Sequence, residues 1–218
     1  MMTSDEAIQI LQSSNTDPFK IIAALEIASL KLSSRPVVIA YLDGPSHTSE
    51  LTGFLANEPP TDGTRDSSRI LIALAGLPRF FASCKDPVFF EVFKHLMQNS
   101  FVTDFFGADR MINEFAHDLP AGSPLEPLFL DYVEDAIFKG GIRDLADNGL
   151  CVLAMDNSDA AYDRIGQIIS SDEFWKQGNA IGSVDELIVF FANNNCYNER
   201  VMKIFYKIRA PLTTPEFT

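Results

Sequence analysis

Glu114 and His117 stand three residues apart in the stretch NEFAHD. At helical spacing they share one face, and a Glu-X-X-His pair is the unit from which di-iron carboxylate bundles build their centres. Such a centre needs a second pair and two further glutamates. His95 has its nearest preceding glutamate four residues away, and His47 has none three before it, so the second pair is missing. The pair therefore reads as a solvated helix face. Asp131, Glu134 and Asp135 also cluster at helical spacing. Paired carboxylates can exchange protons with a substrate, but an exposed acidic face has the same pattern. Asp156–Asp163, DNSDAAYD, spaces its acids like a calcium loop but lacks that loop's glycine and terminal glutamate; a helix N-cap at Ser158 or Asp159 accounts for it. Gly140-Gly141 lacks the further glycines and the lysine of nucleotide-binding loops and reads as a helix stop. There is no Gly-X-Ser-X-Gly elbow and no Cys-X-X-Cys. No catalytic residue, metal ligand or cofactor is assigned.

Two patterns point to binding instead. Arg200, Lys203 and Lys207 lie at i, i+3 and i+7, which places them on one stripe of a helix, with Arg209 nearby. On a chain of net charge −13, a local basic stripe suits an acidic partner. The competing reading is a solvated face that complements the negative end of its own helix. The second pattern is asparagine: Asn193-Asn194-Asn195, with Asn148 and Asn198, at positions where helix caps also use this residue. The candidate partner-binding residues are Arg200, Lys203, Lys207, Asn148 and Asn194. Trp175, beside Phe174, reads as a core residue.

The elements that must position these residues are helices. Thr3 and Glu6 have the spacing of a capping box for a helix over Ser4–Ser13. Asp17-Pro18 and Asp86-Pro87 each pair a capping residue with a proline suited to the first helical position. The run after Pro36, VVIAYL, has strand composition, but no second strand candidate exists to pair with it, so a short helix is expected. A helix over Thr48–Ala56, a loop over Asn57–Gly63 and a central pair over Arg65–Asn99 follow. The first helix of that pair is apolar on nearly every side from Ile70 to Ala82 and must be buried by its neighbours. Phe101–Leu119, broken near Gly107, precedes a loop over Pro120–Pro127. Leu128–Lys139, Ile142–Met155, Asp159–Ile169, Asp172–Lys176, Val184–Ala192 (capped by Ser183) and Glu199–Arg209 (capped by Asn198) complete the set. Residues 211–218 should fray.

The chain has 218 residues, 46% of them hydrophobic and 22% charged, which suits one domain over 1–210, with 57–63 or 120–127 as places where it could divide. Eighteen phenylalanines, several in adjacent pairs, widen the apolar stripes and suit helices contacted from two sides. The acidic average field argues against nucleic acid. Cys84, Cys151 and Cys196, odd in number and each in an apolar setting, read as buried thiols of a reducing compartment. The N-terminus lacks the basic and apolar regions of a signal peptide, and no apolar run could span a bilayer, so a cytoplasmic home is expected.

Leu145–Ile169, LADNGLCVLAMDNSDAAYDRIGQII, resembles the end of one armadillo or HEAT-type repeat running into the next. Ser183–Tyr206, SVDELIVFFANNNCYNERVMKIFY, is similar. In both, an apolar helix ends in an Asn/Asp turn and a second amphipathic helix follows; the likeness covers the C-terminal third. It implies a short all-α solenoid of stacked hairpins, with an irregular helical bundle as the alternative. It also implies a non-enzymatic scaffold that binds a protein or peptide, with asparagines holding the bound backbone. Two other readings stay open. One is a helical enzyme or metal protein with a dispersed site around Glu114 and His117. The other is a self-associating regulatory subunit, which exposed phenylalanine pairs would permit.

Overall fold

The computed structural model describes residues 2–13, 18–44, 76–98, 103, 107–140, 143–194 and 199–212. The helix expected over Thr48–Ala56, the loop at Asn57–Gly63, most of the first helix of the central pair, the Asp17 and Asn198 caps and the tail beyond Leu212 lie outside them. The described residues form twelve α-helices and one short 3-10 turn, with no strand among them. They fall into two compact units, residues 1–125 and 126–218.

The first unit holds α1 (Ser4–Gln12), α2 (Pro18–Ser29), the 3-10 turn Leu32–Ser34, α3 (Arg35–Leu42), α4 (Pro78–Ser83), α5 (Val88–Gln98) and α6 (Ala108–Asp118). Its local signals are the ones the sequence carries. The Thr3 hydroxyl accepts from the Glu6 amide, and the Glu6 carboxylate accepts from the Thr3 amide in return. The VVIAYL run is helical, with Val38, Tyr41 and Leu42 buried. Pro78 opens α4, where its missing N–H costs nothing. Gly107, at φ 79°, precedes α6 in a conformation that a side chain would strain.

Helix α4 is short but central to this unit: it packs on α3, α5 and α6. Its Phe80, Phe81 and Ala82 are all buried. Phe81 stacks on Phe89 with ring centres 5.8 Å apart, and Phe115 of α6 lies 4.4 Å from Phe93 and 6.0 Å from Phe90. The two phenylalanine pairs here, Phe80-Phe81 and Phe89-Phe90, thus point inward on both members, as helices touched from two sides require.

The second unit holds α7 (Glu126–Lys139), α8 (Arg143–Asp156), α9 (Asp159–Ile169), α10 (Asp172–Trp175), α11 (Ala180–Asn193) and α12 (Glu199–Leu212). Gly140 ends α7 at φ 69°, its amide bonded to the Ala136 carbonyl. Ser158 caps α9 by accepting from the Ala161 amide at 3.0 Å. Ser183 does not cap α11. That helix begins three residues earlier, at Ala180, and the Ser183 hydroxyl donates back to the Asn179 carbonyl at 3.1 Å from inside the first turn. The last helix runs past Pro211 to Leu212, where fraying was expected from residue 211. Helix α8 packs on α7, α9 and α11, and α9 packs on α12. Trp175, expected in the core, is half-buried at its edge, its indole N–H donating to the Ile169 carbonyl at 2.6 Å.

Candidate functional site

Helix α12 buries Val201, Ile204 and Ile208 and turns Arg200, Lys203 and Lys207 outward, so the three cations do share a stripe. They are not equivalent. Arg200 reaches α9, where its Nη2 sits 2.6 Å from Asp159 Oδ1 and its guanidinium lies 5.9 Å from the centre of the Tyr162 ring. Lys203 pairs within its own helix, 3.1 Å from Glu199 Oε1. Lys207 extends over Gly166 of α9, whose missing side chain makes room for the lysine stem. The stripe therefore also fastens α12 to α9, a role that the spacing of the three residues alone does not reveal.

Aromatic rings pack across this corner. The Tyr162 ring stacks on Phe191 of α11 at 6.2 Å, and Phe191 meets Phe205 of α12 edge-on at 6.0 Å. The Tyr162 hydroxyl donates to Asn157 Oδ1 at 3.1 Å. Asn157 holds φ 56°, a conformation asparagine tolerates better than most residues, and so makes the turn from α8 into α9.

The asparagines divide. Asn194 ends α11, its side-chain amide donating to the Phe190 carbonyl at 2.8 Å, which is a capping role. Asn148 lies half-buried on α8, the helix beneath α11. The residues that composition and spacing did not single out are apolar. Tyr206 is 68% exposed, Ile181 56% and Val189 52%, with Ile188 and Met202 also in water. On α11, Ile181, Ile188 and Val189 recur at i, i+7 and i+8 and share a flank with Asp185; on α12, Met202 and Tyr206 recur at i and i+4. The signal was present as a second apolar stripe wider than one buried face needs.

The acid-base candidates are engaged elsewhere. Arg164 of α9 binds both Asp131, at 2.9 Å, and Glu134, and Asp135 pairs with Lys139 at 2.8 Å. Glu114 accepts from Arg110 Nε at 2.9 Å, while His117 is exposed with Nδ1 3.8 Å from Asp118 Oδ1. No group of three or more His, Cys, Asp or Glu residues placed to hold a metal ion occurs among the described residues. None of their helices is long and apolar enough to cross a membrane. The chain matches no family model, and no curated protein and no solved structure is significantly similar to it.

Proposed function

We propose that the protein is a non-enzymatic scaffold of armadillo/HEAT type that binds another protein through the exposed flanks of α11 and α12. The observation that carries this reading is the packing order of the second unit. Helix α11 lies on α8 and α12 lies on α9, so each of these later helices packs on one member of the α8–α9 pair. Repeating that step is what builds a helical solenoid, in which each unit meets its neighbours and the terminal unit turns a polar face to water. Here the last two helices instead expose Ile181, Ile188, Val189, Met202 and Tyr206. A partner segment with apolar anchors and acidic flanks fits such a surface, because Lys203 and Lys207 stand beside Met202 and Tyr206. The first unit, with α4 held among α3, α5 and α6, suits an irregular bundle better than a stack.

The test is selection of binders from a random peptide library on the whole protein. Peptides with two or more apolar anchors and net acidic charge should emerge. Their affinity should fall about tenfold or more in Val189→Asp with Tyr206→Asp, at unchanged melting temperature. Equal binding to that double variant would remove the surface from consideration. Self-association is a second reading, favoured by the opposite charges of the two flanks: Asp185 and Glu186 on α11 against Lys203 and Lys207 on α12. Among the described pairs it finds no support in phenylalanine, because Phe80, Phe81, Phe89, Phe90 and Phe191 are buried and Phe190 half-buried; Phe105-Phe106 lies outside the described residues. Light scattering over a range of concentrations distinguishes it, since only a second copy raises the mass.

A further inference from the structure

Three cationic side chains from separate elements of the first unit line one cleft. Lys31 follows the C-terminal end of α2, Arg35 opens α3 and Arg79 stands on α4; with Ser29, Leu30 and Phe80 they enclose about 120 Å³. That is room for several waters or one small oxyanion. Only part of the positive charge is answered from within. Arg35 is held by Asp118 at 3.0 Å and by the Ser83 hydroxyl at 2.7 Å. Arg79 spends one Nη2 donor on the Ser29 carbonyl at 3.0 Å and lies against the Phe80 ring at 5.2 Å. Its Nε is withdrawn from water and has no acceptor among the described residues. That nitrogen is out of reach of a water-sized group, so an anion in the cleft would meet the charge of Lys31 and the rest of Arg79 rather than Nε. Lys31, exposed at the rim, has no ion pair among the described residues. Beside it Leu30 stands 82% exposed.

We propose that this cleft binds the phosphate group of a small phosphomonoester, with the ester's apolar portion over Leu30. The planar guanidinium fork matches two phosphate oxygens, and the group's negative charge answers Lys31 and Arg79 together. The cleft concentrates positive charge on a chain whose average charge is strongly negative, so the site selects small anions that reach it locally over extended polyanions that meet the whole field.

The test is titration of the full chain with inorganic phosphate, phenyl phosphate and acetate, at ionic strength held constant with sodium chloride. The readout is the NMR signal of the Arg79 side-chain Nε–H, assigned from its absence in Arg79→Lys. Both phosphates should shift the signal saturably, and phenyl phosphate should bind roughly fivefold tighter, an advantage that Leu30→Ser removes. Lys31→Ser, at an exposed position where folding is not at stake, should weaken both phosphates roughly threefold. No saturation up to about 50 mM phosphate would overturn the proposal. So would equal effects of acetate and phosphate, or affinities unchanged in Lys31→Ser.

Discussion

Lys207 lies across Gly166. An alanine Cβ built on Gly166 would stand 2.8 Å from the lysine Nζ and 3.5 Å from its Cε, so the last helix crosses α9 at a point where a side chain is missing. The obstacle is the mobile tip of a lysine, which can swing into water at little cost. Replacing glycine with alanine inside a helix gains about 1 kcal/mol. Gly166→Ala should therefore leave the protein as stable as before or more so by up to about 1 kcal/mol in urea unfolding.

Gly149 gives the opposite result for a physical reason. It sits on α8 against α7, and an added Cβ would meet Ile137 Cγ1 and come within 2.8 Å of Ile137 Cδ1, with Val133 Cγ1 at 3.6 Å. Ile137 and Val133 are both buried and have nowhere to go. Overpacking of this kind costs typically 1–3 kcal/mol, which outweighs the helix-propensity gain. Gly149→Ala should destabilise by about 1–2 kcal/mol net. A Gly149→Ala variant as stable as the parent would mean that α7 and α8 are not in close contact there.

Cys84 and Cys151 should resist alkylation. Burial pushes the Cys84 thiol well above the ordinary range, with Asp43 and Asp86 adding to the effect. Its Sγ donates to the Phe80 carbonyl at 3.3 Å. Burial, then Glu186, pushes Cys151 up to about 11 from an ordinary 9.0. The thiolate is the nucleophile, so at pH 8 that shift alone lowers the reactive fraction about a hundredfold. Peptide-level mass spectrometry after iodoacetamide should find both residues unlabelled in the folded protein and labelled in urea. Rapid labelling of either in the native state would contradict the burial.

What the sequence made legible was local. The Thr3–Glu6 box, the Ser158 cap and the stop at Gly140 each depend on residues within a turn of one another, and each is formed. Ser183 misled because the same hydroxyl can cap a helix from outside or bond back from its first turn. The stripe on α12 was legible as a stripe, but what its members touch depends on Asp159 and Gly166, about 40 residues earlier on α9. The cleft of the first unit was not legible at all. Lys31 and Arg35 stand near each other in the chain, but Arg79 follows some 44 residues later and joins them only through packing of α4 on α3.

Arg164 ties α9 to α7 through Asp131 and Glu134, and the two carboxylates should differ in weight. Glu134 is 30% exposed at its side chain and Asp131 67%. An exposed ion pair contributes little, while a hydrogen-bonded pair partly removed from water contributes more. Glu134→Gln should cost about 1 kcal/mol and Asp131→Asn less than about 0.5 kcal/mol in urea unfolding. The reverse order would mean that Asp131 carries the contact.

Asp156 should make stability fall as pH rises through the lower acid range. Burial raises its pKa from an ordinary 3.8; the hydrogen bond from Ser158 opposes this and Glu126 adds to it. The Ser158 hydroxyl donates to Asp156 Oδ2 at 2.6 Å, while Oδ1 is buried with no hydrogen-bond partner among the described residues. A carboxyl raised on folding binds its proton more tightly in the native state than in the unfolded chain. Between the unfolded and the folded pKa the native state holds more protons, so unfolding free energy declines as pH increases. The decline begins near 3.8, the unfolded value, and ends above the folded one. Asp156→Asn keeps an oxygen for Ser158 and removes the titration. The stability difference between Asp156→Asn and the parent should therefore move in favour of the variant as pH rises from about 4 and become constant at higher pH. The other carboxylates titrate alike in both proteins and largely cancel. Urea unfolding of the pair at intervals from pH 4 to 7 measures the difference, and a constant value across that range would mean that Asp156 is ionised as easily in the folded protein as in the unfolded one.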